Sequence, residues 1–131
     1  MNGVGILLLT HRGLGKALIE AAHDVVGPLS LHVIAVEFGS GDDSDAVAHR
    51  AAYHMRELDH GSGVLVLTDL YGSTPSNIAA RLVAQGTSVR RVSGVGLPML
   101  LRVLNYAEQS LDELVLTAAS GGRNGVVVDQ A

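Results

Sequence analysis

Cysteine and tryptophan are absent from this sequence, and aromatic side chains make up only 3% of its 131 residues. Without cysteine the chain can form neither disulfides nor thiolate metal sites. The core must therefore be aliphatic, which a hydrophobic fraction of 47% can supply. Charged residues are also few, at 17%, and this low share argues against intrinsic disorder.

An excess of positive charge is also missing. Nine basic residues against thirteen acidic ones give a net charge of −4, whereas a general nucleic-acid binder normally carries a basic stripe. The first apolar stretch, Val4–Leu9, lacks a basic flank and is too short for a signal peptide or a membrane span. We therefore expect a cytoplasmic protein that is not inserted in a membrane and does not bind nucleic acid.

Short aliphatic runs alternate with segments of helical periodicity. The runs are Val4–Leu9, Leu31–Val36, Val64–Leu67 and Val89–Val95. Nearly continuous apolar runs are typical of strands buried on both faces of a parallel sheet. The alternation predicts one α/β domain over residues 1–131. We expect a doubly wound, mainly parallel sheet of order 2-1-3-4 with helices on both faces.

Helix signals divide the second half of the chain. Thr74 followed by Pro75 predicts an N-cap and a first helical residue. Ser110 and Glu113 form a capping-box pattern that opens a last helix, predicted to run to about Ala119. We expect the glycines at 121, 122 and 125 to end that helix. A short final strand is predicted at Val126–Val128.

Two strands end in the same way, one running into His11 and the other into Asp69. In the order 2-1-3-4 these strands are neighbours at the switch point, where ligands of open α/β sheets gather. A carboxylate that accepts a hydrogen bond from Nδ1–H fixes the imidazole tautomer and leaves the Nε2 lone pair free. The pair predicts an oriented base or nucleophile, and His11 can be the nucleophile itself.

Anion-binding features surround this pair. Ser73, Thr74 and Ser76 lie where the chain leads from Asp69 into a helix start, and free N–H groups at such a start attract phosphate. Arg12 follows His11 into another helix start. These features predict that Ser73, Thr74 and Arg12 bind a phosphoryl group.

The other histidines show no convincing ligand spacing. They are His23, His32, His49, His54 and His60. We therefore predict no metal site and no cofactor. Asp69 could instead be a phosphoacceptor, as in receiver domains, but those domains need further acidic residues for Mg²⁺ at the position that His11 holds.

Three segments give the sequence a family resemblance. They are the first strand ending at His11, the segment from Gly63 to Asn77, and the segment from Ser93 to Leu101. With these segments the chain resembles the IIA component of the mannose-family sugar phosphotransferase system. The likeness runs through nearly the whole chain in matching order. Arg12 departs from the family, whose members often have an aromatic or small residue there.

The resemblance implies roles for individual residues. His11 would be the phosphorylated histidine, Asp69 its hydrogen-bonding partner, and Ser73 and Thr74 would lie beside the phosphoryl group. The family is dimeric and exchanges a final strand between subunits, and Val126–Val128 would be that strand.

The resemblance also implies partners. The histidine phosphocarrier protein would be the donor, and a IIB component or a regulatory target the acceptor. Many relatives are fused to a IIB domain, whereas this chain ends after one domain, so we expect a standalone regulatory phosphocarrier. Two alternatives stay open: the phosphotransferase subunit of dihydroxyacetone kinase, and a binding module that histidine phosphorylation switches.

Overall fold

The sheet of this protein is built from its aliphatic runs. The computed structural model describes residues 3–85 and 88–130. The strands are β1 (Gly5–His11), β2 (Val33–Phe38), β3 (Val64–Thr68) and β4 (Val89–Ser93). All neighbouring pairs are parallel and the order is β2-β1-β3-β4, which confirms the predicted topology. Every residue of β3, and all of β1 except His11, is buried, as expected for strands covered on both faces.

Helices cover both faces of this sheet. Within the described residues they are α1 (Leu14–Val26), α2 (Ser44–Leu58), α3 (Thr74–Gln85), α4 (Leu97–Asn105) and α5 (Leu111–Asn124). One aliphatic cluster joins the sheet to α2 and α3, and a second joins its other face to α1, α4 and α5. Successive residues of a strand point to opposite faces, so Leu7 and Leu9 enter the first cluster and Ile6 and Leu8 the second.

The register fixes the edge where the site lies. Leu9 of β1 is opposite Thr68 of β3, and His11 is opposite Phe38 of β2. Asp69 directly follows Thr68, so His11 and Asp69 leave adjacent strands at the same carboxyl edge.

The C-terminal helix is longer than its glycines indicate. The predicted capping box is present, with Ser110 and Glu113 bonded in both directions, but α5 continues to Asn124 instead of ending near Ala119. A Cβ at Gly121 would lie 2.6 Å from the Cβ of Arg102 in α4. A Cβ at Gly122 would lie 2.9 Å from Cε of Met99. Gly121 and Gly122 therefore permit close packing of α5 on α4, and the prediction that these two glycines end the helix is wrong. Gly125, the third predicted glycine, is the C-cap of α5.

The segment after α5 forms no strand within this chain. Val126, Val127 and Val128 are 76%, 77% and 86% exposed and have no ladder partner among the described residues. The predicted exchange of this segment between subunits stays a prediction.

Candidate active site

His11 is held by a single oxygen of Asp69. The backbone N–H of His11 donates to Oδ2 of Asp69 at 3.0 Å, and Nδ1 of the ring lies 2.8 Å from the same oxygen. The side chain of Asp69 is 11% exposed and that of His11 is 44% exposed. A buried carboxylate thus orients a ring that solvent can reach, and the structure brings the two residues together as the sequence predicts.

The contact with Asp69 determines which ring nitrogen can react. An ionised carboxylate only accepts hydrogen bonds, so Nδ1 must carry the proton and Nε2 keeps its lone pair. Oδ1 of Asp69 is buried and has no hydrogen-bond partner within the described residues. The negative charge of this carboxylate is therefore compensated mainly through His11, and it would stabilise a positive charge on the imidazole.

The start of α3 lies beyond Asp69. The carbonyl of Ser73 accepts the first helical bond, from the N–H of Asn77 at 2.9 Å. Ser73 is therefore the residue that precedes the helix, Thr74 is its first residue, and the predicted N-cap at Thr74 is displaced by one position. Pro75 has no N–H, so the free donors of the first turn are those of Thr74 and Ser76.

The two predicted hydroxyl groups differ in their surroundings. The hydroxyl of Ser73 donates to the carbonyl of Leu70 at 2.6 Å, which closes the loop before the helix. The hydroxyl of Thr74 has no hydrogen bond to another described residue. Thr74 therefore has a hydroxyl available for a ligand at this helix start.

The start of α1 is closed by a carboxylate of the chain itself. Glu37 of β2 accepts from the N–H of Gly13 at 3.0 Å and from the N–H of Lys16 at 2.9 Å. Burial alone would raise the pKa of Glu37, but these backbone hydrogen bonds and the charge of Lys16 outweigh it, and the pKa lies below its usual value. Glu37 could not be predicted as a site residue, because nothing in the sequence pattern shows which side chain reaches a distant helix start.

Arg12 points toward the loop after β2. Its guanidinium lies 3.9 Å from a carboxylate oxygen of Asp42 and packs against Gly39, where a Cβ would overlap it. Its side chain makes no hydrogen bond or ion pair with His11 or Asp69 within the described residues. Its predicted role in binding the phosphoryl group stays a prediction.

Arg91 of β4 lies beside the start of α3. Its guanidinium donates to the carbonyl of Ser76 at 3.1 Å, in the first turn of α3, and lies 5.3 Å from the centre of the Tyr71 ring. Arg90, its neighbour, points the other way and pairs with Asp112 at 2.6 Å. Alternation along β4 could have separated these two arginines.

The described ranges, 3–85 and 88–130, contain no group of three His, Asp or Glu residues that could hold a metal ion. The site therefore consists of an oriented imidazole, a buried carboxylate and a helix start.

Comparison with known proteins places this chain in a family. The family model described as "PTS system fructose IIA component" matches residues 5–119. The mannose-specific EIIAB component of the phosphotransferase system from Escherichia coli K12 is 30% identical over 125 residues, covering 94% of this chain. The chain spans only 38% of the length of that relative. The sorbose-specific EIIA component of Lacticaseibacillus casei is 30% identical, covering 84% of this chain and 79% of that protein.

Solved structures agree with these relatives. The mannose/sorbose-specific IIA subunit from Enterococcus faecalis superposes with a TM-score of 0.88 at 23% identity, covering 99% of this chain and 97% of that one. The IIA protein associated with the fucose utilization operon of Streptococcus pneumoniae gives a TM-score of 0.80 at 26% identity, covering 98% and 96%. This chain belongs to the mannose-type family of IIA components of the sugar phosphotransferase system. None of the described helices has the length and apolar character that crossing a membrane requires.

Proposed function

We propose that this chain is a phosphocarrier that accepts a phosphoryl group on Nε2 of His11. The observation that carries the proposal is the 2.8 Å contact between Nδ1 of His11 and Oδ2 of Asp69, which leaves Nε2 as the free nucleophile. The donor is the phosphorylated histidine phosphocarrier protein. The Nε2 lone pair attacks phosphorus, the bond from phosphorus to the donor's histidine breaks, and that histidine keeps the electron pair.

Charge compensation follows from the surrounding groups. The imidazole gains positive character as the new bond forms, and the carboxylate of Asp69 stabilises it. The incoming phosphoryl group carries close to two negative charges, and the N–H donors and positive end of α3 favour an anion there. Positioning and electrostatics are the main contributions that phosphoryl transfer needs from a protein.

The phosphoryl group then leaves His11 for a partner. We propose a IIB component as acceptor, or a regulatory target that distinguishes phosphorylated from unmodified chain. The second step reverses the first: the acceptor's nucleophile attacks phosphorus and the bond to Nε2 breaks. The exposure of the His11 ring on the sheet edge supports transfer to a partner over transfer to a buried substrate.

Incubation with phosphoenolpyruvate, enzyme I and the histidine phosphocarrier protein tests the first step. We expect acid-labile, base-stable phosphate on the chain, attached at Nε2 by ³¹P NMR. His11→Ala should abolish it and leave folding nearly intact, because the side chain stands at a strand end.

His54→Ala is the matched control. Nδ1 of His54 also faces a carboxylate, Glu57 at 2.7 Å, but His54 lies on α2 and has no hydrogen bond or ion pair with His11 or Asp69 among the described residues. We expect wild-type phosphate acceptance from this variant. Acceptance at the wild-type level by His11→Ala would overturn the assignment.

We also propose that the chain forms a homodimer by exchanging the segment Val126–Val128. Support comes from three exposed valines beyond α5 and from a cavity of about 470 Å³ beside β4, lined in part by Val92, Met99 and Val126. An exposed edge strand invites pairing with another chain.

Removing residues 125–131 tests the exchange by sedimentation. We expect a weaker dimer and a lower free energy of unfolding. If the wild-type chain sediments as a monomer and the truncation changes neither its sedimentation nor its free energy of unfolding, the proposed exchange is contradicted.

A further inference from the structure

A cavity of about 440 Å³ opens beside the edge strand β2 and plays no part in the phosphoryl transfer described above. Ala35 and Val36 line it together with Glu37 and His54, and three permanent cations reach it from separate places. The cations are Arg12 from the loop after β1, Lys16 from α1 and Arg50 from α2. The volume lies within the range of small-molecule sites, roughly 300–1,000 Å³.

The cations of this cavity are weakly engaged. Arg12 approaches Asp42 no closer than 3.9 Å, and Arg50 makes a long hydrogen bond of 3.4 Å to the carbonyl of Glu37. The ammonium of Lys16 has no hydrogen bond or ion pair with another described residue. These long or absent contacts leave donors that a ligand could take over without breaking a strong pair.

The only carboxylate in the lining does not neutralise these cations fully. The oxygens of Glu37 are taken by the N–H groups of Gly13 and Lys16, so its charge is already compensated by the helix start. Three permanent positive charges therefore face the compensated charge of Glu37 and, beside Arg12, the carboxylate of Asp42. This is a local excess of positive charge in a chain whose net charge is −4.

We propose that this cavity binds a small organic phosphate, a phosphomonoester dianion of a metabolite. Arginine forks match phosphate oxygens with two parallel hydrogen bonds, and lysine adds a point charge. Ala35 and Val36, consecutive residues of the edge strand β2, would lie against the carbon part of such a ligand. Neither His11 nor Asp69 lines this site, which shares only Arg12 with the predicted phosphoryl-binding residues, and the proposal does not depend on the phosphocarrier function.

Titration with glycerol 3-phosphate tests the proposal. The titration is monitored by ¹H–¹⁵N NMR, and sodium chloride keeps the ionic strength constant. We expect saturable shifts at the amides of Gly13, Lys16 and Arg50, with the same affinity in wild type and in His11→Ala. Lys16→Gln and Arg50→Gln should each weaken binding about tenfold, the usual effect of losing one charge-assisted contact.

Arg81→Gln is the matched control, because Arg81 is a similarly exposed arginine that pairs with Asp45 at 3.1 Å on the surface between α3 and α2. We expect it to bind as wild type does. If Arg81→Gln lowered the affinity for glycerol 3-phosphate as much as Arg50→Gln does, the effect would come from general surface charge. That result would overturn the proposed site.

Two further results would also overturn the proposal. Loss of binding in His11→Ala, with shifts confined to Ser73–Ser76, would mean that the anion occupies the phosphoryl-transfer site. If the cavity bound inorganic phosphate more tightly than glycerol 3-phosphate, an organic phosphate would be excluded as its ligand. Failure of phosphoryl transfer in the wild type would leave the cavity result unaffected, so the two proposals fail separately.

Discussion

Two helices, α1 and α3, start at the carboxyl edge of the sheet, and they differ in what occupies their first N–H groups. The start of α1, just after His11, is occupied by the carboxylate of Glu37. The start of α3, just after Asp69, receives no carboxylate from the described residues. Arg91 instead adds a positive charge beside the first turn of α3, at the carbonyl of Ser76.

The difference shows how one electrostatic feature can serve two purposes. Both helix starts present free N–H groups and the positive end of a dipole. At α1 these stabilise a carboxylate of the fold and fix the loop that carries His11. At α3 they stay available to an external anion. From the sequence, the helix starts after both His11 and Asp69 were expected beside one phosphoryl group, and in the structure Glu37 occupies the first of them.

Asp69→Asn should have the largest effect of the changes that test this comparison. The amide keeps the shape but removes the charge and permits the wrong imidazole tautomer. We expect phosphoryl transfer to fall roughly 10–10³-fold, as for loss of one polar catalytic contact. The rate of transfer from the phosphorylated donor measures this, and ¹⁵N shifts of His11 report the tautomer.

Asp45→Asn is a suitable control for Asp69→Asn, because Asp45 is an exposed carboxylate paired with Arg81. It should transfer phosphate at the wild-type rate. If Asp69→Asn kept both the wild-type rate and the wild-type tautomer, the two side chains would not be coupled.

Glu37→Gln tests the occupied helix start. Loss of the charge at the N–H groups of Gly13 and Lys16 should lower the free energy of unfolding by about 1 kcal/mol at pH 7. Phosphoryl transfer should stay close to the wild-type rate, because Glu37 does not touch the ring of His11. Urea unfolding and the transfer assay check the two expectations.

The pH dependence of this effect has a definite sign. The pKa of Glu37 is lower in the folded chain than its usual value, so its ionised form stabilises the fold above the unfolded pKa of about 4.3. That stability is lost as the pH falls through the folded pKa. The difference between wild type and Glu37→Gln should therefore shrink below about pH 4. A difference that grows in acid would contradict this.

At the open helix start we expect effects on the transfer rate that are smaller than that of Asp69→Asn. The hydroxyl of Ser73 is engaged with Leu70, so Ser73→Ala should slow transfer only about twofold and cost about 1 kcal/mol of stability. Thr74→Ala should slow transfer more, because its hydroxyl is unengaged within the described residues. A larger rate loss in Ser73→Ala would reverse the assignment of the two hydroxyl groups.

The sequence predicts the part of the site that follows from the strand pattern. His11 and Asp69 end two aliphatic runs, and the strand order brings those ends together. Glu37 and Arg91 were missed as site residues because their partners, Gly13, Lys16 and Ser76, are distant in sequence. Gly121 and Gly122 were misread as a helix end, since a sequence shows that a glycine is present but not that a neighbouring helix needs the space.

The loop around His11 is restrained from three directions. Asp69 of the β3 end binds its N–H, the hydroxyl of Thr10 donates to its carbonyl at 2.9 Å, and Glu37 of β2 binds Gly13 two residues later. The conformational entropy of this loop is therefore lost on folding and not when a partner arrives. Amide hydrogen exchange at His11 and Gly13 should be slow even without a partner, and the encounter with a phosphorylated donor then requires ordering of the donor alone.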